Sequence, residues 1–212
     1  MVDLNNPKPV TPLAGMVSPT AGITLTETPY VGKVNIRGDA GDPKFADAVA
    51  KVVGVALPIE PNTVADAGIA AAPNLPVSDT GEHTAAGGSN VVYWLGPDEW
   101  LVHTPPNGES RLVEDLRTAL DGIHAAVTDV SDYYVVIDVT GPHARDVLAR
   151  GCPLDLHASK FDTGQCAQSV FAHASILLHQ TTTAPSYRIQ VRWTYAQYLW
   201  SYLADAAKQW AA

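Results

Sequence analysis

Val135-Val136-Ile137-Asp138-Val139-Thr140-Gly141, then a helical stretch led by Pro142 and closed by Gly151-Cys152-Pro153-Leu154, decides the fold, because the same order occurs earlier in the chain. The earlier copy is Lys33-Val34-Asn35-Ile36-Arg37-Gly38, a helix led by Pro43, then Gly54 and Leu57-Pro58. Each copy reads as strand, glycine turn, short proline-led helix, glycine stop and proline exit. A strand–helix unit used twice in 212 residues points to internal duplication. Neither copy carries a recognisable reactive group, so the chain reads as a scaffold.

Working outward, residues 1–30 are rich in Pro, Thr and Gly and read as an extended arm, with one short strand near Ile23-Thr24-Leu25. The first unit spans 31–124. In it, Asp42 caps a helix whose Phe45, Ala46, Val49, Ala50 and Val53 recur with helical spacing, and Gly54 stops it. Residues 58–90 hold Pro, Gly, Ala, Ser and Thr with few bulky apolar residues and read as a long loop. Asn90 to His103 reads as a hairpin around Gly96-Pro97-Asp98, and 109–121 as a helix with Leu112, Leu116, Ala119 and Leu120 on one face.

The second unit spans 125–212. It opens with strands near Ala126–Val130 and Tyr133–Val139, followed by a helix with Ala144, Val147 and Leu148 inward. Strands over Cys166–Ala172, Ser175–Gln180 and Tyr187–Trp193 come next. Thr194 then caps a last helix with a stripe of Tyr195, Tyr198, Leu199, Tyr202, Leu203 and Ala206. The fold class is therefore α+β: two ferredoxin-like β-α-β-β-α units with antiparallel sheets.

Composition narrows the function classes. The formal net charge of −9 argues against nucleic acid, whose phosphates need clustered Lys and Arg. No apolar run is long enough for a membrane span, and the N-terminus has no signal-peptide pattern, so the expectation is a cytoplasmic protein. Charged residues are 17% of the chain, below the roughly 25% usual for soluble domains. That leaves either a small neutral surface or a large area covered by a partner. The two cysteines, Cys152 and Cys166, are expected to be reduced and buried.

Three blocks then carry a resemblance. They are Val34-Asn35-Ile36-Arg37-Gly38-Asp39 with Leu57-Pro58; Trp94-Leu95-Gly96-Pro97-Asp98-Glu99-Trp100-Leu101; and Asp129-Val130-Ser131-Asp132 with Gly141-Pro142, Arg145-Asp146-Val147-Leu148 and Gly151-Cys152-Pro153-Leu154-Asp155-Leu156-His157. Cys166-Ala167-Gln168 and Tyr198-Leu199-Trp200 follow in order. Together, over roughly residues 30 to 205, they resemble the gamma subunits of bacterial heterotetrameric sarcosine oxidases. The resemblance implies a fold related to folate-binding aminomethyltransferases and a non-catalytic structural role. It implies alpha, beta and delta subunits as partners, with FAD, FMN, NAD and zinc held there rather than in this chain. The enzyme demethylates sarcosine oxidatively to glycine, producing hydrogen peroxide and passing a one-carbon unit to tetrahydrofolate. The other readings are a free-standing folate-binding or aminomethyltransferase-like protein, and a small-molecule binder using the groove between the units.

The residues themselves offer little chemistry. No G-x-G-x-x-G follows a strand and no phosphate loop is present. The seven histidines form no H-E-x-x-H, and Cys152, His157 and Cys166 lack a supporting metal motif. Asp129 and Asp132 read as turn-formers. No catalytic, cofactor-binding or metal residue is therefore expected. Aromatics off the core face remain as candidate partner contacts: Trp100, Trp200 and Trp210.

Overall fold

Among the described residues, alternation of apolar and polar residues along ten strands builds two five-stranded antiparallel sheets, each carrying helices on one face. A computed structural model describes residues 10–19, 22–66 and 89–210. In chain order the elements are β1 (Thr24–Glu27), β2 (Gly32–Arg37), α1 (Pro43–Val53), β3 (Val64–Asp66), β4 (Val91–Gly96), β5 (Glu99–Thr104), α2 (Glu109–Ala119), β6 (Ala126–Asp129), β7 (Tyr134–Thr140), α3 (Ala144–Leu148), β8 (Cys166–Phe171), β9 (Ala174–Thr182), β10 (Ser186–Arg192) and α4 (Ala196–Ala207).

The first sheet runs β3-β4-β5-β2-β6 and the second β1-β7-β10-β9-β8. With the edge strands β3 and β8 set aside, both show the ferredoxin-like order. The duplication is therefore real, with one exchange. The strand at Ala126–Asp129, expected to open the second unit, closes the first sheet against β2, with Ile36 opposite Val127. The matching place in the second sheet is taken by β1 from the N-terminal arm, with Leu25 opposite Val139. A strand pairs wherever a free edge lies within reach, and α2 returns the chain to the β2 edge.

Local signals act as read in α1. Asp42 accepts from the Lys44 amide at 2.9 Å, Pro43 takes the first turn, and Gly54 ends the helix at φ 89°. Phe45, Val49 and Val53 pack with Val34, Ile36, Val92, Trp100 and Val102 in the first core. Ala144, Val147 and Leu148 enter the second core as expected. Both cysteines are buried free thiols. Of the expected loop at 58–90, residues Val64–Asp66 form β3, which pairs with β4; residues 67–88 lie outside the described residues.

Two expectations change at the C-terminal helix. Thr194 does not cap it: Trp193–Tyr195 forms a 3-10 turn, with the Ala196 amide on the Trp193 carbonyl, and leads directly into α4. The buried stripe is Ala196, Leu199, Trp200, Leu203 and Ala207, while Tyr195, Tyr198 and Tyr202 stay exposed. Trp200 is drawn inward because the arm closes over it: its indole N–H donates to the Val17 carbonyl at 3.2 Å. Leu13 is buried in the same core, and Gln197 donates to Pro12 O. Residues 10–19 thus lie over this chain's own helix.

Gly141 joins β7 to α3 at φ 120°, and a Cβ there would stand 2.6 Å from the Gly22 carbonyl oxygen. Both conformation and backbone contact require glycine. Gly141→Ala is expected to cost about 2 kcal/mol in urea unfolding.

Candidate functional site

Strand parity sorts each sheet into a helix-facing and a sheet-facing side. In β5, Trp100 and Val102 join the first helical core, while Leu101 turns to Tyr93, Cys166 and Leu177 in a third cluster. In β10, Tyr187, Ile189 and Val191 join the second core, and the alternate residues Arg188 and Gln190 face the other way. The two sheets therefore stack back to back, and their shared seam sets polar side chains beside that apolar cluster.

At the seam, His103 Nε2 donates to Gln190 Oε1 across the two sheets. Tyr93 lies between two imidazoles, its ring centroid 4.7 Å from His103 and 5.4 Å from His179. Asp138 and Arg188, directly opposed on β7 and β10, form a two-pronged ion pair at 2.8 and 3.1 Å. The Thr28 hydroxyl donates to the second carboxylate oxygen. Lys33 is buried, its ammonium donating to the carbonyls of Val31 at 2.7 Å and Ser131 at 3.3 Å.

Burial sets the charge states. It pushes the Lys33 ammonium down to about 8, although Asp132, Glu109 and Asp129 pull the other way. It pushes His103 well below the ordinary histidine value, aided by the Lys33 charge, and His179 to about 4, aided by Arg188. Burial also opposes the Arg188 charge, but the hydrogen bonds and charge of Asp138 outweigh it, so the guanidinium is held more firmly than usual. Tyr93 and Cys166 are each pushed up to about 12 by burial. The seam thus joins neutral rings, a neutral thiol and one locked ion pair, an arrangement suited to fixing two sheets rather than to moving protons.

Acid should test it. Both histidines sit below their unfolded value near 6.5, so the unfolded chain binds more protons between that value and about 4. Their contribution is complete above pH 6.5 and is lost as the pH falls toward 4. We expect the urea-unfolding free energy to fall by about 2 kcal/mol per histidine between pH 7 and 4.5. His179→Gln should remove about half of that dependence.

Two of the three expected partner contacts are buried within this chain. Trp100 is fully buried, its indole donating to the Pro58 carbonyl at 2.8 Å. Trp200 is 4% exposed. Each tryptophan fills a core of its own unit, because sheet or arm covers it. Trp210 is partly buried and stacks on His143, with centroids 4.9 Å apart, and Arg150 stands 6.0 Å over its ring. Cys152, His157 and Cys166 are not brought together: Cys152 faces Ser169, His157 bonds Ser159, and Cys166 donates to Thr63 O. Among the described residues no three His, Cys, Asp or Glu side chains gather as metal ligands. Asp129 does fix a turn, accepting from the Ser131 amide and hydroxyl. No helix among the described residues is long and apolar enough to cross a membrane.

Sequence reading missed Lys33, His103, His179, Arg188 and Gln190. Their signal was present as polar residues alternating with buried ones on strands, but that pattern equally describes a solvent face.

Residues 59–209 match the sarcosine oxidase, gamma subunit family. The gamma subunit of a sarcosine oxidase from Corynebacterium sp. (strain P-1) is 31% identical over 91% of this chain and 84% of its own. Among solved structures, heterotetrameric sarcosine oxidase from Corynebacterium sp. U-96, in complex with pyrrole 2-carboxylate, has a chain that superposes with a TM-score of 0.79 at 26% identity. That match covers 96% of this chain and 97% of the other. The glycine cleavage system aminomethyltransferase T from Bartonella henselae shares the fold, with a TM-score of 0.60 at 12% identity over 86% of this chain and 45% of its own. By its matched length and its sequence identity, the chain belongs to the sarcosine oxidase gamma subunit family.

Proposed function

We propose that this chain is a non-catalytic structural subunit of a cytoplasmic heterotetrameric sarcosine oxidase. In that role it braces alpha, beta and delta subunits that carry FAD, FMN, NAD and zinc. Those subunits demethylate sarcosine oxidatively to glycine, release hydrogen peroxide and pass the one-carbon unit to tetrahydrofolate. The observation that carries the reading is the end-to-end likeness to a chain of a solved heterotetrameric sarcosine oxidase. The seam supports it, because its ion pair and its cross-sheet hydrogen bond are both made within the chain.

The test is co-expression of this chain with the larger subunits of a heterotetrameric sarcosine oxidase, followed by size-exclusion chromatography and a sarcosine oxidation assay. The expected result is one coloured complex containing this chain. Omitting the chain should lower the yield of assembled enzyme, with little change in turnover per flavin in what does assemble. A chain that elutes alone overturns the subunit reading, and tetrahydrofolate binding by that free chain would favour an aminomethyltransferase-like role.

A further inference from the structure

A cleft of about 380 Å³ opens where the N-terminal arm, the end of β1, the start of α2 and the Ser131–Tyr133 turn meet. Its lining includes Glu27, Glu109, Asp132, Lys33, Tyr134 and Trp193. Three carboxylates therefore face one ammonium, and that ammonium already donates to two backbone carbonyls. None of the ion pairs among the described residues includes Glu27, Glu109 or Asp132.

Glu109 carries the sharper sign. Its Oε2 is sealed from solvent and has no hydrogen-bond partner. The oxygen is pressed against Gly32, where a Cβ would come within 2.5 Å of it. A buried carboxylate oxygen without a donor leaves Glu109 short of hydrogen-bond partners, and the same residue lines the cleft. Glu27 accepts one hydrogen bond, from the Thr11 hydroxyl at 2.6 Å. At the mouth, Trp193 is 52% exposed, and Tyr133 packs edge-on against the lining Tyr134. Surplus negative charge beneath an exposed indole is the chemistry that receives a cation.

The rim indicates the source of that cation. Val10 and Trp193 are exposed side chains lining this opening, Tyr133 stands beside it with the Arg192 guanidinium 4.8 Å over its ring, and Tyr195, Tyr198 and Tyr202 continue the exposed aromatics along α4. A small free cation would leave those rings in water, whereas a protein surface would cover them. We infer that the cleft is a docking socket for a lysine or arginine side chain of a larger subunit, with Glu27, Glu109 and Asp132 as counter-ions and Trp193 against it. This inference rests on the subunit reading above.

The test uses the assembled complex. Glu27→Gln combined with Glu109→Gln should weaken association about 30-fold or more and make it less sensitive to salt. Hydroxyl-radical footprinting of the unmutated complex keeps the test independent of folding in the variant. Trp193 should oxidise at least about tenfold more slowly than in the urea-unfolded chain, as a residue at an interface core does. Failure of the unmutated chain to associate overturns the subunit reading and the socket together. Association with Trp193 oxidised at near the unfolded rate, or with the double variant binding as tightly as the original, overturns the socket and leaves the subunit reading standing. Slowing of that oxidation by tetramethylammonium chloride at constant ionic strength would instead assign the cleft to a free ammonium ligand.

Discussion

Trp100→Ala is expected to destabilise the chain by about 4 kcal/mol. The indole is fully buried, opposite Ile36 on β2 and Trp94 on β4, with the Phe45 ring centroid 5.9 Å away. Truncation removes its apolar burial, leaves a cavity between α1 and the sheet, and strips the Pro58 carbonyl of its donor. Trp100→Phe keeps most of the ring volume and should cost about 2 kcal/mol, through the lost hydrogen bond and the residual gap. Urea unfolding followed by far-UV circular dichroism separates the two. A loss below about 1 kcal/mol for the alanine variant would mean that the side chain lies outside a packed core.

Arg188→Met should cost about 3 kcal/mol, because it leaves the Asp138 carboxylate in the seam without its cation. Both side chains are about one-fifth exposed, which keeps the figure at the lower end of what breaking a buried pair costs. Thr28 remains as a donor to Asp138, but one hydroxyl does not neutralise a charge. Combining Arg188→Met with Asp138→Leu should recover most of the loss, since no lone charge then remains. If the double variant is as unstable as the single one, the seam depends on the pair's geometry and not on charge compensation. A double-mutant cycle in urea decides between these outcomes.

The candidate site was legible only in part. Asp129 was readable as a turn-former because its partners, the Ser131 amide and hydroxyl, lie two residues away. His103 and Gln190 are 87 residues apart, and nothing local distinguishes either from a residue facing water. Local spacing does not fix the environment of the three tryptophans, which depends on what covers them. For Trp200 the cover is residue Val17, 183 positions earlier in the chain.

By itself the sequence determined the duplicated strand–helix units, the caps of α1, the inward face of α3, and the hairpin of β4 and β5. Those features rest on local chemistry: glycine and proline at turns, a carboxylate before a helix, and alternation at period two or 3.6. Only the tertiary structure decided that β6 joins the first sheet and β1 the second, that the sheets meet back to back, and which tyrosines and tryptophans on and around α4 are covered. Those outcomes depend on which distant surface reaches a free edge or an open face, and side-chain periodicity is the same whether that face meets water or another sheet.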